Sequence, residues 1–285
     1  MPRCAWGKSN SVTYRKGPSD MAAKLQSPHA FPERLLFYGG GGSGKTNTVL
    51  TYARYMPNDA MMYVLDTDYS MPYDRALATD FEDCEQQVAV HVADTEWDPF
   101  TTALAETVAQ GNPAKDCIVV DTISPSWESV QDWYLEQVYG QDLPGHIVEL
   151  KKTYADDAKA YHKALTEDMN WSAVKKEYAR RVWTPIRRWK GDLILCAEAK
   201  ALSTQDNDDV KMLYGPLGFK PVGESRLSHV AATNIFLDHP KRGTWRMTTI
   251  KDRNREELDH AVINDFGMDY LMEIAGWTPA RKARD

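Results

Sequence analysis

Beyond residue 32 the chain alternates short, mostly apolar runs with stretches whose apolar residues recur at helical spacing. The runs fall at residues 34–38, 61–65, 88–92, 117–120 and 193–196, and their near-continuous apolar character suits strands covered on both faces. Residues 45–55 carry a helical pattern directly after the first run. Residues 127–139, 147–165 and 171–183 repeat that spacing, with Pro144-Gly145 as a break and Thr184-Pro185 placed to cap and open a further short helix. Residues 234–237 and 245–250 flank Pro240-Lys241-Arg242-Gly243, a hairpin signal, and residues 265–274 read as a last helix. The pattern predicts an α/β fold: a mostly parallel central sheet flanked by helices, with a helical insertion at about 127–190 and a C-terminal β-hairpin. It also predicts one domain over 31–276, a loosely ordered polar arm at 1–30 and a frayed tail at 277–285.

Composition narrows the function classes. With 42% hydrophobic and 26% charged residues in 285, the chain lies among folded globular proteins and away from the disordered class. It has no apolar run of the ~18 residues that cross a bilayer, and its first thirty residues lack a signal peptide's apolar centre, so a cytoplasmic protein without membrane contact is expected. Cys4, Cys84, Cys117 and Cys196 lack the close pairing of zinc or redox motifs, which predicts buried free thiols. The net charge of −7 offers no general attraction to polyanions, so a nucleic acid would need a local basic patch. Two segments are candidates. Residues 202–222 hold Lys211, Tyr214, Phe219 and Lys220, with Arg226 just beyond, against Asp206, Asp208 and Asp209. Residues 175–190 hold seven basic residues, one acid and the aromatics Tyr178, Trp183 and Trp189. A helix that buries its tryptophans and exposes its arginines explains the second segment equally well.

The sharpest chemical signal is Gly39-Gly40-Gly41-Gly42-Ser43-Gly44-Lys45-Thr46, which matches G-x-x-x-x-G-K-[ST] between a strand and a helix. Glycines let the backbone turn its N–H groups toward a phosphate, and the helix N-terminus adds partial positive charge. Lys45 would reach the β- and γ-phosphates, the Thr46 hydroxyl would coordinate Mg²⁺, and Asn47 follows in the first helical turn. Residues 117–121 form an apolar strand ending in Asp121, which would hold the same metal opposite Thr46. ATP and Mg²⁺ are the ligands this pairing predicts.

In their order these motifs resemble the RecA/DnaB-type branch of P-loop ATPases, and within it the small phage-encoded RecA-like recombination and single-strand annealing ATPases, over residues 34–254. The resemblance implies a RecA-like fold, ATP hydrolysis, single-stranded DNA as partner, and a homo-oligomer, ring or filament, of a phage protein in a bacterial host. Leu65-Asp66-Thr67-Asp68 looks like the D-x-E of that family, making Asp68 the acid that orients the attacking water, one methylene shorter than the usual Glu. Residues 193–198 resemble the strand that ends in a γ-phosphate sensor. Glu198 takes that place, an acid that needs a metal, a proton or Lys200 beside a phosphate. Ile250-Lys251-Asp252-Arg253-Asn254 resembles the K-x-R finger pair of such ATPases, so Lys251 and Arg253 would act in a neighbouring subunit's site. The 202–222 segment stands where RecA-like proteins carry a mobile DNA-binding loop. Other readings of the same phosphate loop stay open: a DnaB-like helicase or translocating motor, a nucleotide-gated binding module, or a small-molecule kinase with residues 127–190 as lid.

Overall fold

A computed structural model of the chain describes residues 32–68, 72–255 and 258–264. The predicted arm at 1–30, the helix at 265–274 and the tail at 277–285 lie outside the described residues. From the first apolar run comes strand β1 (Arg34–Gly39), followed by helix α1 (Lys45–Tyr55), β2 (Met62–Asp66), α2 (Pro72–Leu77), β3 (Val88–Val92), α3 (Trp97–Gln110) and β4 (Cys117–Asp121). Five helices then intervene: α4 (Pro125–Tyr139), α5 (Leu143–Thr153), α6 (Ala158–Asp168), α7 (Trp171–Tyr178) and α8 (Thr184–Arg188). The chain returns through β5 (Asp192–Ala201), α9 (Asp208–Tyr214), β6 (Phe219–Pro221) and α10 (Leu227–Val230), and ends its described part in β7 (Thr233–Lys241), β8 (Thr244–Asp252) and β9 (Val262–Asn264).

The sheet runs in the order β3-β2-β4-β5-β1-β7-β8-β9, with β6 added antiparallel to β5. Strands β3 through β7 along that path pair in parallel, and β8 and β9 turn antiparallel. The α/β class, mostly parallel sheet, helical insertion and C-terminal hairpin anticipated from the pattern are all present.

Alternation along β1 divides the core in two. Leu35 and Phe37 join α1, α2 and a 3₁₀ turn at Glu82–Gln87 on one face; Leu36 and Tyr38 join α3, α4, α7 and α8 on the other. The α1-side layer holds the buried free thiols Cys84, Cys117 and Cys196. At the start of β1 and β7, Arg255 is buried with Glu33, Asp252 and the Thr233 hydroxyl. Burial pushes the Glu33 carboxyl up to about 7, and the Arg255 charge offsets only part of that.

The insertion departs from its sequence pattern in three ways. Residues 147–165 are two helices, because the Asp157 side chain accepts the Ala160 N–H and caps a new start. Pro144-Gly145 lies in the first turn of α5 behind the Asp142 cap, so it opens a helix where a break was expected. Thr184-Pro185 does open α8, yet Thr184 is no cap: its hydroxyl donates to the Ala179 carbonyl across a π-helical turn at Ala179–Trp183.

Candidate functional site

The C-terminal ends of β1 and β4 carry the predicted phosphate and metal groups, separated by β5. Residues Gly40 to Gly44 connect β1 to α1, with Gly42 at φ 73° and Gly44 at φ 93°, the left-handed backbone that glycine adopts without a Cβ clash. Gly39 is needed for a different reason: a Cβ there would collide with the Leu237 carbonyl oxygen and come within 2.6 Å of Ser43 Oγ. Lys45 Nζ donates to the Gly39 and Gly40 carbonyls at 3.1 Å each, which folds the ammonium over the loop. Ser43 is buried and its Oγ has no hydrogen-bond partner, whereas Asn47 is exposed on the first turn of α1.

Across the cleft, Thr46 Oγ1 stands 3.5 Å from Asp121 Oδ2, and the same carboxylate oxygen accepts the Tyr73 hydroxyl at 2.8 Å. Burial raises the Asp121 carboxyl above the usual range, while Tyr73 and the Lys45 charge pull it back. Strand register sets Asp66 beside Asp121. Asp66 is buried, accepts the Asp68 N–H at 3.0 Å, and is pushed up to about 6 by burial, with Asp121 adding to the rise. Thr67 locks the two strand ends together: its N–H donates to the Asp121 carbonyl and its hydroxyl to the Thr122 carbonyl, and it accepts the Thr122 N–H. Asp68 follows as an exposed residue on the same rim. Tyr73 and Thr67 were not legible as site residues, since nothing in their local sequence announces that they touch Asp121.

The donors suit a hard cation and a phosphate chain. Among the described residues no cluster of three or more His, Cys, Asp or Glu side chains forms a metal site by itself. The Thr46 and Asp121 oxygens would supply part of a Mg²⁺ shell and leave the remainder to phosphate oxygens and water, the usual division for that ion. The unpartnered Ser43 Oγ and the open space around Gly40 and Gly41 fit an anion seated on the loop.

No family model matches the sequence, and no curated protein does. Among solved structures, the crystal structure of the RadB recombinase superposes on 82% of this chain and 87% of that one, at 13% identity and a TM-score of 0.48.

The other predicted residues are distributed unevenly. Glu198 is in register with Gly39 on the neighbouring strand, exposed at the cleft, and its N–H is held by Ser124 Oγ at 2.8 Å. Lys251 and Arg253 lie toward the opposite end of the strands from the phosphate loop, because Asp252 pairs with Thr233, at the start of β7, and the Arg253 N–H donates to the Ala232 carbonyl. Measured along the strands from Gly39 at ~3.3 Å per residue, Arg253 stands five residues or roughly 16 Å away and Lys251, level with Leu36, three residues or roughly 10 Å, both two strands over from β1. Lys251 Nζ is moreover engaged by the Ser228 and Ala231 carbonyls, and burial lowers it to about 8. Within one chain the pair cannot reach the loop.

The fold recasts both candidate nucleic-acid segments. Residues 202–222 do not form a plain loop: Asn207 caps α9, β6 pairs back onto β5, and Lys220 is held by Asp206. In residues 175–190 the aromatics Tyr178, Trp183 and Trp189 are all buried, with Trp183 Nε1 donating to Glu224 and Trp189 Nε1 to the Asp192 carbonyl. The core reading of that segment is therefore the right one, and no base can stack there. The fold instead gathers part of each segment elsewhere. Lys175, Lys200 and Lys220 line one cleft of about 490 Å³ with the stacked indoles of Trp127 and Trp171, together with the acids Asp206, which holds Lys220, and Glu224.

Proposed function

We propose that the chain is a Mg-dependent ATPase of RecA type that acts on DNA in phage-type recombination or single-strand annealing. The observation that carries this reading is the strand–glycine loop–helix whose Thr46 hydroxyl faces the buried Asp121 carboxylate across 3.5 Å, with Lys45 over the loop. Loop amides and the N-terminus of α1 bind the phosphate chain through partial positive charge, and Lys45 leaves its carbonyl partners to neutralise the γ-phosphate. Thr46 and Asp121 would hold Mg²⁺, which when bound would supply charge neutralisation on the phosphate chain. Asp68, exposed on the rim beside Asp66 and Asp121, orients the attacking water and takes up its proton.

Coupling to DNA is supported by β5. Glu198 stands next to Gly39, and Lys200, two residues on, lines the cleft with Lys175, Lys220 and the Trp127–Trp171 pair. Lys175 and Lys200 beside the exposed Trp171 fit a single strand, whose backbone is anionic and whose bases stack. Lys251 and Arg253 complete the site only from a second copy, so the active form is an oligomer.

Hydrolysis of ATP by wild-type protein and by Lys45→Ala, each with and without single-stranded DNA, tests this. The wild type hydrolyses ATP and DNA accelerates it; Lys45→Ala loses on the order of a hundredfold or more in rate. Failure to take up any purine triphosphate with magnesium removes the reading, and phosphate transfer to a small acceptor without response to DNA replaces it with a kinase.

A further inference from the structure

The β7–β8 hairpin outruns the strand that carries the phosphate loop. The last β1–β7 pair is Tyr38 with Phe236, yet β7 continues to Lys241 and β8 begins at Thr244. On the face turned to α1, Ile235, Leu237 and Met247 are core residues. The next positions on that face are His239 and Trp245, and both are exposed, Trp245 by 41%. Their rings lie parallel, centroids 4.8 Å apart and planes 2° apart, and His239 Nε2 accepts the Gly243 N–H at 3.2 Å. The indole also borders the phosphate loop: a Cβ on Gly44 would stand 3.1 Å from Trp245 Cδ1.

A large exposed aromatic, held flat by a second ring at the foot of α1, has no core to fill. Its position matches one end of a nucleotide. Asp121 lies on one side of β1, two strands away, and the hairpin lies on the other. A triphosphate whose metal-bound end is at Thr46 and Asp121 therefore extends its far end toward the hairpin, where the indole borders the loop at Gly44. We propose that Trp245, backed by His239, is the nucleobase platform, on which a purine stacks. This deepens the phosphate-loop reading and rests on it.

Equilibrium binding of ATP and of inorganic tripolyphosphate, both with magnesium, separates the two. Tripolyphosphate engages the loop without a base. The wild type prefers ATP, and Trp245→Ala weakens ATP on the order of 5- to 100-fold while leaving tripolyphosphate unchanged, the range expected for loss of one base–aromatic stack. Trp245→Phe keeps most of the preference, and Lys45→Ala weakens both ligands. An unchanged ratio of the two affinities in Trp245→Ala overturns the platform. Equal loss of both also overturns it, because the indole then only supports Gly44. If the wild type binds neither ligand, the phosphate loop itself has been misread.

Discussion

Replacing each glycine of the phosphate loop by alanine in turn separates folding from ligand capture. At Gly39 the added methyl meets the backbone of β7 at the Leu237 carbonyl, which cannot swing aside as a side chain would. Strands β1 and β7 must part, an overpacking cost of about 1–3 kcal/mol. Gly42 and Gly44 have φ of 73° and 93°, where alanine costs roughly 1–2 kcal/mol, and at Gly44 the Trp245 edge adds crowding. A Cβ on Gly40 or Gly41 meets nothing within 4 Å and neither has a positive φ, so each change should stay within ~0.5 kcal/mol of the wild type. A loss of 2 kcal/mol lowers the melting temperature of a domain this size by roughly 4–8 °C. Thermal melts should therefore place Gly39→Ala lowest and Gly40→Ala and Gly41→Ala with the wild type. Tripolyphosphate binding should nevertheless fall in the last two, because their methyls occupy the space where the anion sits. Gly40→Ala melting as low as Gly39→Ala, or Gly39→Ala melting with the wild type, would refute the close-approach argument.

Two further outcomes follow from buried groups, and a third from the proposed contact between subunits. Glu33 holds its proton up to about pH 7 in the folded chain against 4.5 ordinarily, so its stabilising contribution is complete below pH 4.5 and fades as the pH rises through 7. Relative to Glu33→Gln, the wild type should lose up to about 3 kcal/mol between pH 5 and 8 in urea unfolding, and parallel profiles for the two proteins would contradict this. Tyr73→Phe leaves a buried Asp121 oxygen without its 2.8 Å donor and should cost about 1.5–3 kcal/mol in metal-free buffer, whereas a cost under ~0.5 kcal/mol means that oxygen is satisfied elsewhere. Lys45→Ala and Arg253→Ala subunits should each be inactive alone and recover part of the ATPase rate when mixed; no recovery removes Arg253 from the neighbour's site.

The phosphate loop was readable because its information is local. A strand, a run of glycines and Lys45 at the head of α1 occupy consecutive positions, and the predicted helix at 45–55 coincides with the observed one. Asp121 was readable for the same reason, as the carboxylate that ends an apolar strand. What escaped depends on register between distant strands. Asp66 meets Asp121 only because β2 pairs with β4, and Trp245 reaches Gly44 only because β7 and β8 outlast β1. For the aromatics at 178, 183 and 189 composition left two readings open, a stacking surface and a buried face, and the fold decides for the second. Interleaved with arginines they resemble a stacking surface, yet the π-helical turn at Ala179–Trp183 and the Trp183–Glu224 hydrogen bond place them inside. Helix ends within 147–165 were merged because the Asp157 cap interrupts the backbone without disturbing the apolar spacing.

The thiols of the α1-side layer give one half of the molecule its own chemical clock. Burial raises Cys117 and Cys196 well above the ordinary thiol range, so they stay protonated and inert toward alkylating reagents until that layer opens. The helices across the sheet contribute no cysteine to their own layer among the described residues. With Cys4 replaced by serine, the labelling rate would time the parting of α1 from the strands that seat the phosphate loop, and would ignore motions of the helical insertion on the far side.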